Sequence, residues 1–330
     1  MEEPVILGID FGGSKIAFAV ADLAGARLGS SVVLTHPERG ARWNLDHGIS
    51  TGQALLEAVA RGRSVGAVGA CTFGIPRTHG IRLAPAIPGW SELSLGLELE
   101  AAFGTRLVRV VTDVKAAAGA EARSGALAGY DPAIYVNLGT GLAIGIISGG
   151  KVVLGANGAA GEIGYSLRQP RDIDAARADR LVLEEVVSGM AVAAVGVRRT
   201  DEGLSAAQVF ASEPDDPRLA GALDDFIREL SFHLVNIAVA LDPARIAVGG
   251  GMVRSWPRLA GPLKTALDAN VPFPPDLVVG KYPFDAALVG ALDLAAEAAR
   301  RESPGQQRDI SSSNGLRRGR EASASTISEN

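Results

Sequence analysis

Apolar residues along this chain fall in short dense runs broken by glycine, a pattern that predicts buried strands handing over to turns and helices. Val5 to Asp22, VILGIDFGGSKIAFAVAD, reads as strand, glycine turn, strand, with Val5, Ile6, Leu7 and Ile9 as β-formers. Gly12-Gly13 is expected to take the positive φ of a hairpin turn. Residues 134–153, IYVNLGTGLAIGIISGGKVV, repeat the pattern. Setting Gly12 against Gly139 puts Asn137 opposite Asp10 and Thr140 opposite Gly13, so two related turns are expected to face each other across a cleft.

Between and after these hairpins the period changes. Helical spacing predicts helices over Leu45 to Arg63, Leu93 to Phe103, Val114 to Arg123, Leu181 to Ala194, Leu204 to Ser212, Leu219 to Leu241 and Ala286 to Arg301. Val65 to Ile75, Leu107 to Thr112 and Arg245 to Val248 read as buried strands. Ser255 is expected to cap a helix that Pro257 helps to start. Residues 76–91, rich in proline and glycine, read as a rigid loop in which Trp90 is an anchor rather than a ligand platform. Cys71, inside a strand with no charge near it in sequence, reads as a small core hydrophobe. Residues 302–330 hold few apolar side chains and read as a disordered tail.

The chemistry sits at the ends of these strands. Asp10 closes a buried strand beside the turn that carries Ser14 and Lys15; amides and an ammonium suit phosphate oxygens, and the carboxylate suits the waters of a magnesium ion. A plain hairpin with an edge Asp and a solvated Lys would read the same from this stretch alone, and the recurrence at 134–153 favours phosphate. Asp113 stands where strand passes to helix, the place where open α/β sheets bind ligands. It can cap the helix, and it can orient an attacking hydroxyl and accept its proton. Glu162, the one acid in the glycine-rich loop Gly155 to Tyr165, suits ligand hydroxyls. Glu184 or Glu185 can face the same cleft, or lie on a solvated helix face. Gly249, Gly250 and Gly251, between strand and helix, would let adenine or ribose approach the backbone.

Composition narrows the class. With 330 residues, 47% of them hydrophobic and 21% charged, the chain can bury a large core and is long enough for two domains. A net charge of −5 argues against a nucleic-acid partner. One cysteine excludes an intramolecular disulfide and a cysteine cluster for zinc. No apolar run is long enough for a bilayer, and Val5 follows no basic stretch, so a cytoplasmic enzyme without membrane contact is expected.

In combination these features resemble the ROK family of sugar kinases and repressors over about residues 4–300. The resemblance implies a two-lobed α/β fold, actin-like and ribonuclease H-like, with the active site in the cleft between the lobes. Its expected division is a small lobe at 1–114 completed by the helix at 286–301, a large lobe at 115–285, and the tail. It implies ATP and magnesium as cofactors, a small sugar or cyclitol as substrate, and a homodimer. DFGGSK (Asp10, Gly12, Gly13, Ser14, Lys15) corresponds to the first phosphate motif. LGTGLAIG (Gly139, Thr140, Gly141) corresponds to the second, and DPARIAVGGG (Gly249, Gly250, Gly251) to the adenosine motif. Asp113 matches the family's base, and Glu162 and Glu184 its two sugar-binding acids.

The departures are as informative. Family hexokinases usually carry Asn before the base, and a GEIGH loop whose histidine joins cysteines around zinc. This chain has Thr112 and Tyr165 at those substrate-facing positions and no cysteine nearby, so no zinc is expected. The expected substrate is therefore a modified sugar or a C7-cyclitol of the valiolone type, as for the cyclitol kinases of pseudo-sugar antibiotic pathways that resemble this family. A glucokinase or N-acetylmannosamine kinase is the alternative. A non-catalytic sugar sensor is the alternative of another class, although Asp10, ten residues from the start, leaves no room for the helix-turn-helix that family repressors carry there.

Overall fold

The protein is a computed structural model that describes residues 3–176, 179–200, 203–212, 215–219 and 221–302. The expected tail lies outside the described residues, except for Glu302, which ends the last helix. The first half contains β1 (Val5–Phe11), β2 (Lys15–Ala21), β3 (Arg27–Leu34), α1 (Gly40–Ala60), β4 (Val65–Thr72), β5 (Ile75–Pro76), β6 (Ile81–Arg82), α2 (Leu95–Phe103), β7 (Val108–Thr112) and α3 (Asp113–Ser124). The second contains β8 (Ala133–Leu138), β9 (Leu142–Ser148), β10 (Lys151–Val152), α4 (Gly189–Thr200), α5 (Ala206–Ser212), α6 (Ala222–Leu241), β11 (Arg245–Gly249), α7 (Trp256–Asn270), β12 (Asp276–Val279) and α8 (Ala286–Glu302).

Two five-stranded sheets result, in the orders β3-β2-β1-β4-β7 and β10-β9-β8-β11-β12. Each begins with antiparallel strands and ends with two parallel ones, so the repeat read in the hairpins extends to whole sheets. Asp10 of β1 faces Ala17 and Cys71, as Asn137 of β8 faces Ala143 and Gly249. Strand β1 is apolar throughout apart from Asp10 because both of its faces are covered. Leu7, Ile9 and Phe11 pack with Leu45 of α1 and Leu99 of α2, while Ile6 packs with Leu288 and Leu292 of α8. Edge strand β3 has one half-wet face and alternates in burial; its arginine and serines break the apolar run that would mark it in the sequence.

Glycines join the sheets through a four-layer stack. A Cβ on Gly69 of β4 would overlap the Ala291 carbonyl of α8, and one on Gly290 of α8 would overlap the Ala116 carbonyl of α3. One on Gly145 of β9 would overlap the Ala118 side chain of α3. Helices α8 and α3 therefore lie back to back between β4 and β9 at backbone contact. Glu121 anchors the far end of α3, its buried carboxylate accepting the N–H groups of Ala126 at 2.6 Å, Lys281 at 3.0 Å and Tyr282 at 2.7 Å.

Several expectations change. Helix α1 starts earlier and ends sooner than read, with Arg61 left-handed at its end. Gly12 and Gly13 do not take positive φ; Gly12 is required because a Cβ would stand 2.8 Å from the Lys15 carbonyl oxygen. Ser255 makes no side-chain cap, because a 3-10 turn over Gly251–Ser255 runs straight into α7. The helix read over Leu181 to Ala194 is a short 3-10 turn, Leu183–Glu185, followed by a break and then α4. The break lets Gly189 donate to the Gly139 carbonyl at 2.8 Å and Met190 to that of Thr140 at 3.3 Å, which docks the second glycine turn.

The α8–α3 contact makes a signed prediction. Glycine to alanine inside an ordinary helix stabilises by about 1 kcal/mol. Gly290→Ala instead drives a methyl into backbone that cannot yield, and urea denaturation should show a loss of at least about 2 kcal/mol. A stabilised variant would contradict this packing.

Candidate active site

Strands β1, β4 and β7 run parallel and end together, with Asp10 beside Cys71 and Thr72 beside Thr112. Their carboxyl ends therefore form one edge, and α3 begins there. Thr112, not Asp113, caps α3, its Oγ1 accepting the Lys115 N–H at 3.4 Å. Asp113 is the first helical residue and accepts the Val114 N–H at 2.8 Å. That corrects the capping role expected of Asp113, and it shows a buried Thr112 hydroxyl engaged by Lys115 through both its backbone and its Nζ, also at 3.4 Å.

The charges interact strongly because water is largely excluded. Burial and the nearby Asp10 raise the Asp113 carboxyl to a pKa of about 7, against the pull of the Val114 N–H. Glu162 raises it further and Lys115 lowers it. Burial also raises Asp10, offset by the Cys71 thiol, which donates to Asp10 Oδ1 at 3.3 Å, and by Lys15. Cys71 is pushed well up by burial and by both aspartates. It is the core residue expected, and it also touches a carboxylate that sequence distance conceals.

The second half contributes from its glycine-rich loop, tied to β9 by the Ile144 N–H donating to the Gly161 carbonyl at 2.8 Å. Glu162 Oε1 lies 3.5 Å from Lys115 Nζ. Burial raises the Glu162 carboxyl, Lys115 opposes this, and Glu184 adds to it. Glu184 packs on Gly141 and accepts the Leu142 N–H at 2.8 Å, so it braces the second glycine turn. Tyr165 closes the loop and is 41% exposed. Asp10 and Asp113 from one half and Glu162 and Glu184 from the other thus form one interacting cluster.

The glycine turns border it. Ser14, Lys15 and Thr140 are exposed, and a Cβ on Gly13 would meet nothing nearer than Ala86 at 4.0 Å. Gly250 has a φ of 92° and donates to the Pro283 carbonyl at 2.9 Å. The Gly251 nitrogen stands 3.8 Å from where a Gly139 Cβ would be, so the second turn and the triple glycine are neighbours. A magnesium–nucleotide complex fits these residues. Asp10 is a desolvated carboxylate that, among the described residues, is offset by a thiol and Lys15, and magnesium bound with phosphates needs only one or two protein carboxylates.

Two participants escaped the sequence reading. Cys71 is joined to Asp10 only across the sheet, and Lys115 is joined to Glu162 only across the halves. The signal for Lys115 was a single cation in the first turn of an alanine-rich helix whose neighbours all pack inward. Trp90 is the anchor expected, 1% exposed, donating to Thr72 Oγ1 at 2.9 Å and stacked on Phe73.

Comparison with known proteins supplies a family context for this geometry. The ROK family model matches residues 6–298. Glucokinase from Streptomyces coelicolor is 27% identical over 323 residues, covering 88% of this chain and 97% of its own. Kanosamine kinase from Amycolatopsis mediterranei is 27% identical over 323 residues, covering 92% and 100%. A ROK family glucokinase from Streptomyces griseus, solved with glucose and AMPPNP, superposes with a TM-score of 0.73 at 27% identity, covering 89% of this chain and 99% of that one. The two-lobed α/β architecture is thus the actin-like fold.

The raised Asp113 carboxyl carries a stability cost with a definite sign. An unfolded chain releases this proton near pH 4 and the folded protein near pH 7, so its contribution is intact below about pH 4 and lost as pH rises through about 7, by at most about 4 kcal/mol. Asp113→Asn should therefore be more stable than the parent at pH 8, with the gap closing toward pH 4. Chemical denaturation at both pH values checks this; equal stability throughout would contradict it.

Proposed function

The chain belongs to the ROK family, and from that premise we propose that it is an ATP- and magnesium-dependent kinase acting on a primary hydroxyl of a sugar or sugar-like C7-cyclitol, with Asp113 as general base. The observation that carries the reading is the desolvated Asp113 carboxyl at the start of α3, interacting with Asp10 on one side and Glu162 on the other. A carboxylate with a pKa of about 7 is basic enough to take a proton as the hydroxyl attacks and is about half ionised at neutrality.

In this scheme Glu162 and Glu184 orient the substrate hydroxyls, Glu184 also accepting the Leu142 N–H of the second glycine turn. Asp113 takes the proton of the attacking hydroxyl, the new O–P bond forms at the terminal phosphorus, and the bond from that phosphorus to ADP breaks. Gly12, Gly13, Ser14 and Lys15 receive phosphates on one side and Gly139, Thr140 and Gly141 on the other, with Gly249, Gly250 and Gly251 beside the nucleoside. Magnesium, held through Asp10, would neutralise phosphate charge. The proposed lobes are 1–114 with 286–301, and 115–285, the stack of α8 and α3 lying between their sheets. The reading includes a homodimer in the cytoplasm without a nucleic-acid partner, the last supported by the net charge of −5. Zinc has no role in it, since Tyr165 ends the GEIG loop and the single cysteine lies in β4.

Support for a cyclitol over glucose comes from two positions. Thr112 is turned to Lys115, and Tyr165 stands where family hexokinases carry histidine. The glucokinase relatives support a hexose instead, and a substrate panel separates the two. ADP formation with a valiolone-type cyclitol should exceed that with glucose or N-acetylmannosamine; a clear preference for glucose would end the cyclitol reading. Asp113→Ala should lower kcat by about 10²–10⁴-fold while nucleotide affinity changes little. In the parent, kcat/KM should fall as pH drops below about 7, as Asp113 gains its proton. Near-normal turnover in the variant would refute the assignment.

A further inference from the structure

Lys115 is a costly residue where it stands. Its side chain is 3% exposed, and it sits in the first turn of α3, where the helix dipole disfavours a cation. An ammonium has three donors, and the two hydrogen bonds it makes among the described residues, to Thr112 Oγ1 at 3.4 Å and Glu162 Oε1 at 3.5 Å, are both long. Packing does not require a charge here, because its neighbours Val114, Ala116, Ala117 and Ala118 are buried apolar residues. The ammonium spans the two halves of the molecule at the acid assigned to the substrate.

We propose that Lys115 is a specificity-determining residue that serves as the built-in counter-ion of Glu162, so that the site takes neutral polyols and rejects substrates carrying an ammonium at the ring position facing Glu162. The inference rests on the kinase reading above and names the substrate class for it. Three carboxylates, Asp113, Glu162 and Glu184, interact around this point, and without Lys115 they would form an attractive site for an amino sugar. With Lys115 in place, Glu162 is already paired, and a substrate ammonium would have to compete with Lys115 for that carboxylate. A hydroxyl meets no such penalty. Its hydrogen is given to Glu162 without displacing a cation.

The test is calorimetric binding, with AMPPNP present, of matched neutral and amino ligands: glucose against glucosamine and kanosamine, and a valiolone-type cyclitol against its amino counterpart. The parent should favour the neutral member by at least about tenfold at one ring position. Lys115→Met should shrink or reverse that ratio, and Lys115→Arg, which keeps the charge, should preserve it. Unfolding midpoints confirm that each variant is folded, and the parent's own ratio stands if the Met variant is not. Equal affinity for both members in the parent, or a ratio unchanged in Lys115→Met, overturns the inference while leaving the kinase reading intact. Failure of every pair to bind overturns the kinase reading itself.

Discussion

Two half-buried carboxylates at the end of one sheet govern this structure. Asp10 lies at the end of β1 and Asp113 just after β7, with β4 between them, and among the described residues Lys15 and Lys115 only partly offset their burial. Their mutual repulsion costs stability, which a protein retains when the arrangement does something. Under the proposed reading, this pair between two glycine turns serves a metal-bound polyphosphate with one acid and takes a substrate proton with the other. The cost in stability and the capacity to take up a proton have the same origin.

That placement depends on the stack of β4, α8, α3 and β9. Glycines 69 and 290 let backbone meet backbone and glycine 145 takes the Ala118 methyl, so the first turn of α3 is fixed relative to both sheets. Glu121 fixes the other end by accepting three N–H groups from outside the helix. Asp113 and Lys115, both in that first turn, thereby reach partners in either half. Asp113 interacts with Asp10 and Glu162, and Lys115 bridges Thr112 and Glu162. A helix less firmly held would not keep a proton acceptor and a cation within the same few ångströms.

Much of this was legible in the chain because local chemistry and global fold agree. The runs around Asp10 and Asn137 are central strands and read as such, and Asp113 stands at a strand end whose apolar run is unmistakable. What escaped depends on contacts between distant segments. Gly12 and Gly141, one in each glycine turn, are required for close approach rather than for positive φ: a Cβ would stand 2.8 Å from the Lys15 carbonyl oxygen in the first and overlap the Glu184 carboxylate in the second. The break before α4 exists only because Gly189 and Met190 dock on Gly139 and Thr140. Cys71 beside Asp10 and Lys115 beside Glu162 are pairings that no spacing along the chain encodes.

The most direct test of the shared desolvated edge is the protonation of Asp113 itself, followed by carbon-13 NMR of labelled aspartate in the ligand-free protein and assigned with Asp113→Asn. The Asp113 carboxyl should titrate near pH 7 and move down in Asp10→Asn, where its neighbour's charge is gone. A midpoint near 4 in both proteins, the value of a solvated aspartate, would contradict the account.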